Sequence, residues 1–407
     1  PMNHPIHPVH QQNVAEHRPP AGKQLDTPAI PPKTGALSAQ YRHFIRRRVI
    51  WLSVLLAALL VSVVVNIMTG PALLSAGDVI GGLIDPASLD PATHVIIYNV
   101  RLPFALMAVV IGAALGLAGA EMQTVLNNPL ASPSTLGIMH AATLGASLAI
   151  VFNLGFGLPE NYAVPICAFA GAIIALGAIQ FLAKAYGASV DTIVLFGIAL
   201  VFALNALVSL IQFVANSDSL QQIVFWTMGS LARASWEKII IVLVVLLTCL
   251  PLAMRHVWKM TALRGGEDYA RSFGVPVERL RLLVLLRVSI LTAVAVAFTG
   301  VIGFVGLVGP HISRLAFGED HRFYIPGSVL AGAFILSMAS LVSKHIVPGI
   351  LIPDGIVTAL IGIPLFLAPN RAREAALQVA RMPGHSLRIL GLVLMILGAG
   401  LLLLMRS

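Results

Sequence analysis

Charge is what this sequence has least of. Of its 407 residues only 11% are Asp, Glu, Lys or Arg while 57% are hydrophobic, and the mean hydropathy is +0.89; a soluble domain carries about 25% charged residues. A chain so poor in charge cannot dress its own surface for water, so it is expected to be an integral membrane protein. Cysteine is scarce as well. Cys167 and Cys249 are the two in the chain, both inside apolar segments with no ligand spacing around them, so neither a disulfide framework nor a zinc site has support. There is no GxxxxGK[ST] loop, no HExxH and no GxSxG; without a phosphate cradle, metal pair or nucleophile elbow, no catalytic residue, metal or cofactor is expected.

What charge exists is positive, +9 net with a pI near 10.0. Most Lys and Arg sit in short runs beside apolar segments, which reads as membrane topology and not as a nucleic-acid surface. Residues 1–40 are rich in Pro, His and Gln and have no apolar period that could bury a core, so they are expected to be a disordered tail. His4, His7, His10 and His17 lie there without Cys or carboxylate companions, a weak basis for a metal site. The tail lacks the apolar core of a signal peptide.

Apolar stretches that can cross a ~30 Å hydrocarbon core recur from residue 50 onward. Helices are expected at about 50–69, 102–126, 135–152, 162–183, 191–214, 238–254, 281–299, 304–317, 324–345 and 355–369, with an eleventh spanning helix at 387–405 beyond a basic linker. Arg42, Arg46, Arg47 and Arg48 precede the first helix and place the N-terminus in the cytoplasm. Counting crossings from there puts Lys184, the 255–281 stretch, Arg314 with Arg322, and the 371–388 stretch on the same side. The opposite loops, 70–100 and 215–236, are nearly free of Lys and Arg. Small residues run through the helices, as in GAALGLAGA at 112–120, and permit close helix approach.

Few residues could carry chemistry. Glu121 is the one carboxylate read as sitting in a spanning helix; about twenty residues after Arg101 it is expected near the cytoplasmic interface, and not as a mid-membrane relay. His311, after Pro310, reads as a structural histidine at a helix end. The loop ALRGGEDYARSFGVPVERLRLL at 262–283 has a short helical pattern. In it Tyr269, Ala270 and Phe273 form an apolar face, Gly274 a C-terminal stop and Pro276 the start of the next turn. From these residues alone a docking element and an ordinary connecting loop stand equal.

Several segments, in order, resemble a known family: RLP at 101–103, GAEMQTVLNNPLASPSTLG at 119–137, WTMGS at 226–230, ARSFGVP at 270–276, GFVGLVGPHISRLAFGEDHR at 303–322 and PDGIVTALIGIPLF at 353–366. Together they are similar to the FecCD-type permeases of binding-protein-dependent ATP-binding-cassette (ABC) importers of iron-siderophores, haem or cobalamin, over residues 50–369. The resemblance implies an all-α, polytopic, ten-helix permease domain at 41–369, followed in this chain by 370–407, the linker and extra transmembrane helix. It implies a bacterial inner-membrane location and a second, identical or related, permease subunit. It also implies two ATPase subunits, which carry the hydrolysis, and an extracytoplasmic substrate-binding protein.

By motif, the resemblance makes Tyr269, Ala270, Arg271, Ser272, Phe273 and Gly274 the ATPase-coupling loop, with Ala270 and Gly274 as contacts. It makes Val190 and Asp191 the cytoplasmic gate, where the family has small hydroxyl residues. Arg101 and Lys344 are implied to dock the binding protein. Here the chain departs from the pattern: Phe104 and Lys344 stand where Arg is common, Ser340 where Asp is common and Leu351 where Glu is common. The implied cargo is a metal chelate, a ferric siderophore first, with haem and cobalamin as alternatives. The rivals are an ion-coupled secondary transporter, which would need charges or helix breaks at mid-depth, and a membrane-embedded enzyme.

Overall fold

The computed structural model describes residues 34–70, 74–155, 157–347 and 350–367. The N-terminal tail up to residue 33 and the 387–405 segment lie outside them. The chain divides into two compact units, Pro1–Ile45 and Arg46–Ser407, and the bundle belongs to the second. Among the described residues there is no strand. The helices are α1 (Thr34–Met68), α2 (Ala76–Ile84), α3 (Pro91–Val95), α4 (Leu102–Val125), α5 (Ile138–Phe152), α6 (Glu160–Tyr186), α7 (Val190–Val214), α8 (Ser217–Thr227), α9 (Trp236–Arg255), α10 (Val257–Arg264), α11 (Glu267–Ser272), α12 (Val277–Thr299), α13 (Val305–Phe317), α14 (His321–His345) and α15 (Asp354–Leu367).

The ten expected crossings reappear as α1, α4, α5, α6, α7, α9, α12, α13, α14 and α15, but they are not equivalent. Among the described residues seven spans are long and apolar enough to cross a membrane, and α5, α13 and α15 as described are not among them. Helices α5 and α13 have 15 and 13 residues, at most about 22 Å of helix, and α15 is described over Asp354–Leu367. Helices α13 and α15 are approached through non-helical chain, for example residues 300–304 ahead of α13, and α5 through the 3-10 turn Pro133–Leu136. Such backbone is tolerated at membrane depth only when protein surrounds it, and here it does: Thr299 O accepts from Ser230 N at 2.7 Å, Gly229 O from Gly355 N at 3.1 Å, and Asp354 Oδ2 from Leu231 N at 2.8 Å. The 215–236 stretch, expected to be a loop, contains α8, capped by Asn216 accepting from Ser219 N at 2.8 Å.

Helix α4 is the axis of the bundle. From Pro103 to Val125 nearly every side chain is buried, with α14, α12, α13 and α9 packed around it. Its lack of a polar face is therefore a core signature. Contact with α14 and α13 is backbone to backbone: a Cβ on Gly112 would lie 2.4 Å from Gly332 O, and one on Gly119 1.8 Å from Gly306 O. Outer helices differ. On α6, α7 and α9 large apolar side chains such as Phe181, Phe202, Phe213 and Val244 are exposed, as a surface facing lipid requires.

Glu121 lies one turn before the end of α4, and it is not solvent-exposed there. It is fully buried and forms a bidentate pair with Arg287 of α12, whose Nε lies 3.1 Å from both carboxylate oxygens and whose Nη2 also donates to Oε1. The sequence reading weighed Glu121 alone; its partner is 166 positions away. Removing one member strands the other charge in the core. Glu121→Leu and Arg287→Leu are each expected to destabilise the purified protein by about 3–5 kcal/mol, and the double substitution by less than either. Thermal unfolding in detergent, followed by tryptophan fluorescence, checks the order.

Candidate functional site

Contacts sort the loops to two ends of the bundle. At one end α4 runs out next to α10, α14 and the 318–320 turn, tied by polar side chains. Arg264 forks onto Glu319 at 2.7 and 2.8 Å and also donates to Asn127 Oδ1 at 3.0 Å. Arg48 pairs with Asp320 at 3.1 Å. Thr124 Oγ1 meets His321 Nε2 at 2.8 Å, and Arg314 donates to Gln123 Oε1 at 2.9 Å. This explains the polar turn of the GPHISRLAFGEDHR segment: Arg314, Glu319, Asp320 and His321 brace the start of α14, and His321 is fully buried.

The brace is charge-dependent. Burial pushes the Glu319 carboxyl up, but hydrogen bonding and charge from Arg264, with Arg314 behind it, outweigh burial and hold it below its ordinary range. The Arg322 hydrogen bond holds Asp320 low against burial.

At the same end the 262–283 loop is a helix pair. The rings of Tyr269 in α11 and of Phe273 at its C-cap are exposed and meet edge to face, centroids 4.8 Å apart. Arg271 bridges to Glu278 at 2.6 Å and to Glu267 at 3.4 Å, and Ser272 Oγ donates to Tyr269 O at 2.7 Å. Gly274, at φ +73°, ends the helix; its N–H bonds Arg271 O at 2.9 Å and the Val275 N–H bonds Ala270 O at 3.1 Å, a Schellman closure. Ala270 is fully buried against the chain itself. It cannot be a surface contact, because its face of the helix points inward; the outward face is Tyr269 and Phe273.

The turn from α6 to α7 passes Gly187 at φ +93° and Ser189, which caps α7 by accepting from Thr192 N at 3.1 Å. Val190 is half-buried and Asp191 exposed in the first turn, where a carboxylate suits the helix dipole. The hydroxyl residues missing at 190 and 191 flank them, with Ser189 Oγ and Thr192 Oγ1 2.7 Å apart.

At the opposite end Arg101 and Lys344 meet the C-terminus of α1. Arg101 donates to the carbonyls of Ile67 and Met68 at 3.2 and 3.1 Å. Lys344 donates to Asn66 O at 2.9 Å, Thr69 O at 3.3 Å and Asn66 Oδ1. Both cations thus satisfy helix-end carbonyls, and Arg101 is buried. Lys344 is half-buried beside it. Three of the four departures from the family pattern fall together here: Lys344 Nζ lies 4.4 Å from the Phe104 ring centroid, and Asn66 Nδ2 donates to Ser340 Oγ at 2.8 Å. A cavity of about 1300 Å³ opens at this end, lined in part by Asn99, Tyr162, Gln222, Trp226, Arg233 and Lys238.

Sequence reasoning missed Arg281 and Arg287, buried near the start and in the middle of α12, and the buried Asp354 at the head of α15. Arg287 and Asp354 were hidden by apolar runs and Arg281 by the basic stretch it ends; the usable signal was that a charge placed there needs a partner.

Fold and ends together define the class: a polytopic membrane permease with one polar, braced end. Residues 58–369 match the model of the FecCD transport family, and the chain belongs to that family. A second model, of an uncharacterized protein family conserved in bacteria, matches residues 354–405. The chain is 39% identical over 337 residues to an ABC transporter permease protein of Methanocaldococcus jannaschii, covering 81% of this chain and 96% of that one. It is 37% identical to the hemin transport system permease protein HmuU of Yersinia pestis, covering 66% and 81%, and 35% identical to the vitamin B12 import system permease protein BtuC of Vibrio vulnificus, covering 78% and 92%. A solved structure described as a metal-chelate type ABC transporter, inward-facing, superposes with TM-score 0.68 at 32% identity, over 77% of this chain and 96% of that one. The chain is therefore the permease subunit of an ABC importer, a transport component without catalytic activity of its own.

Two outcomes follow from the polar end. Because Glu319 and Asp320 titrate lower folded than unfolded, their contribution is complete above the ordinary carboxylate range and is lost as pH falls through the lowered values. Thermal stability should be level above about pH 5 and fall below about pH 4, with a smaller fall in Glu319→Gln. Ala270→Leu should lower stability by about 1–3 kcal/mol through overpacking, measurable by thermal shift.

Proposed function

We propose that this permease carries a metal chelate, a ferric siderophore first, inward across the cytoplasmic membrane by alternating access, powered by two ATPase subunits seated on the polar end. The observation that carries the coupling half is α11: a short helix closed by Gly274, held by ion pairs, with Tyr269 and Phe273 offered outward. Paired aromatics on a rigid exposed helix suit insertion into a groove of a partner. Arg271, Ser272 and Gly274 set that helix's pose, and Ala270 anchors it from within.

The concentration of Lys and Arg near this end, from Arg46–Arg48 to Arg322, supports its cytoplasmic placement and a cytoplasmic N-terminus. The turn carrying Val190 and Asp191 lies at the same end and is read as the gate. The binding protein docks at the Arg101 end, where Arg101 and Lys344 serve by fixing the end of α1. The 1300 Å³ cavity there exceeds the usual ~300–1,000 Å³ of small-molecule pockets and suits a bulky cargo. Relatives named for hemin and vitamin B12 support the chelate class; the siderophore follows from the family resemblance. A second permease copy, identical or related, completes the pathway.

The test is uptake of labelled ferric siderophore into vesicles holding the permease, its ATPase and its binding protein. ATP-dependent uptake is expected, with hemin and cobalamin competing poorly; preferential uptake of either would reassign the cargo. Uptake that persists without the ATPase would favour an ion-coupled carrier. Tyr269→Ala with Phe273→Ala should weaken ATPase binding by roughly thirty-fold, about 2 kcal/mol, in a titration of detergent-solubilised permease. Gly274→Trp is a poorer probe, since φ +73° strains any side chain there.

A further inference from the structure

Arg281 is 1% exposed, yet its guanidinium touches three elements far apart in sequence. Nη2 donates to Glu267, the first residue of α11. Nη1 donates to the carbonyl of Ala188, in the turn between α6 and α7. Nε faces the carbonyl of Val125, the last residue of α4, at 3.4 Å. One planar, always-charged group thus ties the exposed helix of the polar end, the turn read as the gate and the end of the central helix.

The residue type matters. A guanidinium offers five donors in a fixed fork, so it can hold a carboxylate on one side and two carbonyls on others without turning. An ammonium is a point donor on a flexible stem and cannot keep that span. Buried, the group cannot drop its contacts to water, because an unpartnered charge there is costly. When α11 shifts, Glu267 shifts, and Arg281 must follow or lose its counter-ion. The Ala188 carbonyl is then displaced or released. That turn is built to move: Gly187 sits at φ +93° with nothing within 4 Å of where its Cβ would lie, one residue from the bonded carbonyl and two from the Ser189 cap. The anchor side is immobile, since α4 is enclosed on all sides by the core.

We propose that Arg281 is the positioning residue through which movement of α11 opens and closes the 187–189 turn, so that Glu267–Arg281–Ala188 is the path by which ATP-driven motion reaches the gate. This rests on the reading of α11 as the ATPase seat and of the α6–α7 turn as the gate.

The experiment uses the assembled importer in proteoliposomes, measuring ATP hydrolysed and ferric siderophore taken up per assembled complex. Glu267→Gln keeps the shape and drops the charge on the partly exposed partner; Arg281→Lys keeps the charge and drops the fork. Both are expected to leave ATP hydrolysis within about two-fold of wild type while uptake per ATP falls about ten-fold or more, the scale of a coupling between sites. A purely structural role would lower uptake and hydrolysis together, in step with the amount of assembled complex. That result, or unchanged uptake per ATP in Glu267→Gln, would overturn the proposal. If Arg281→Lys does not assemble, Glu267→Gln decides alone. Wild-type vesicles without ATP-dependent uptake would instead sink the transport reading on which it stands.

Discussion

The Glu121–Arg287 pair is the interaction around which the bundle is arranged. A carboxylate with no exposed surface on α4 exists only because Arg287 reaches it from α12 through Nε and Nη2, and in the protein core neither charge has water to fall back on. Joining α4 to α12 at that depth fixes where α9, α13 and α14 must pack. Glycines do the rest, since the closest approaches of α4 to α14 and α13 leave no room for a side chain at Gly112 or Gly119. The same logic recurs at the ends, where Arg101 and Lys344 close the last carbonyls of α1 and Arg264 closes onto Glu319.

A core held this way behaves as a rigid post, and the moving parts of a transporter then have to be the elements at its edge. Helix α11 is short, its outward face is aromatic, and its ties are ion pairs that are half in water. The α6–α7 turn has a glycine in a left-handed conformation and few neighbours. Flexible and fixed parts meet at Arg281, which joins the first two to the end of the third. Bistable motion at a packed interface is how small shifts at one site reach another, and a buried fork is a compact way to arrange it.

Much of the fold was legible in the sequence. Ten apolar periods gave ten helices in the right places, and the Gly274–Pro276 break and the polar end of the 303–322 segment appear where the residues put them. Less legible were depth and partnership. The apolar periods did not show that α13 is entered through the non-helical 300–304 stretch, or that α5 follows the short 3-10 turn Pro133–Leu136. The pairing of Glu121 was hidden because its partner is remote in sequence, and the motif that offered Ala270 as a contact does not say which side of the helix faces in. Arg101 and Lys344 matched motif positions, but a motif does not show that the end of α1 would claim both cations.

The most direct measurement is a structure of the complete importer, determined by electron cryomicroscopy, read at α11. The account expects Tyr269 and Phe273 buried in a groove of the ATPase, with Ala270 still turned into the permease and Arg281 still bonded to Glu267. An ATPase seated elsewhere on the bundle, with Tyr269 and Phe273 left in water or lipid, would contradict it.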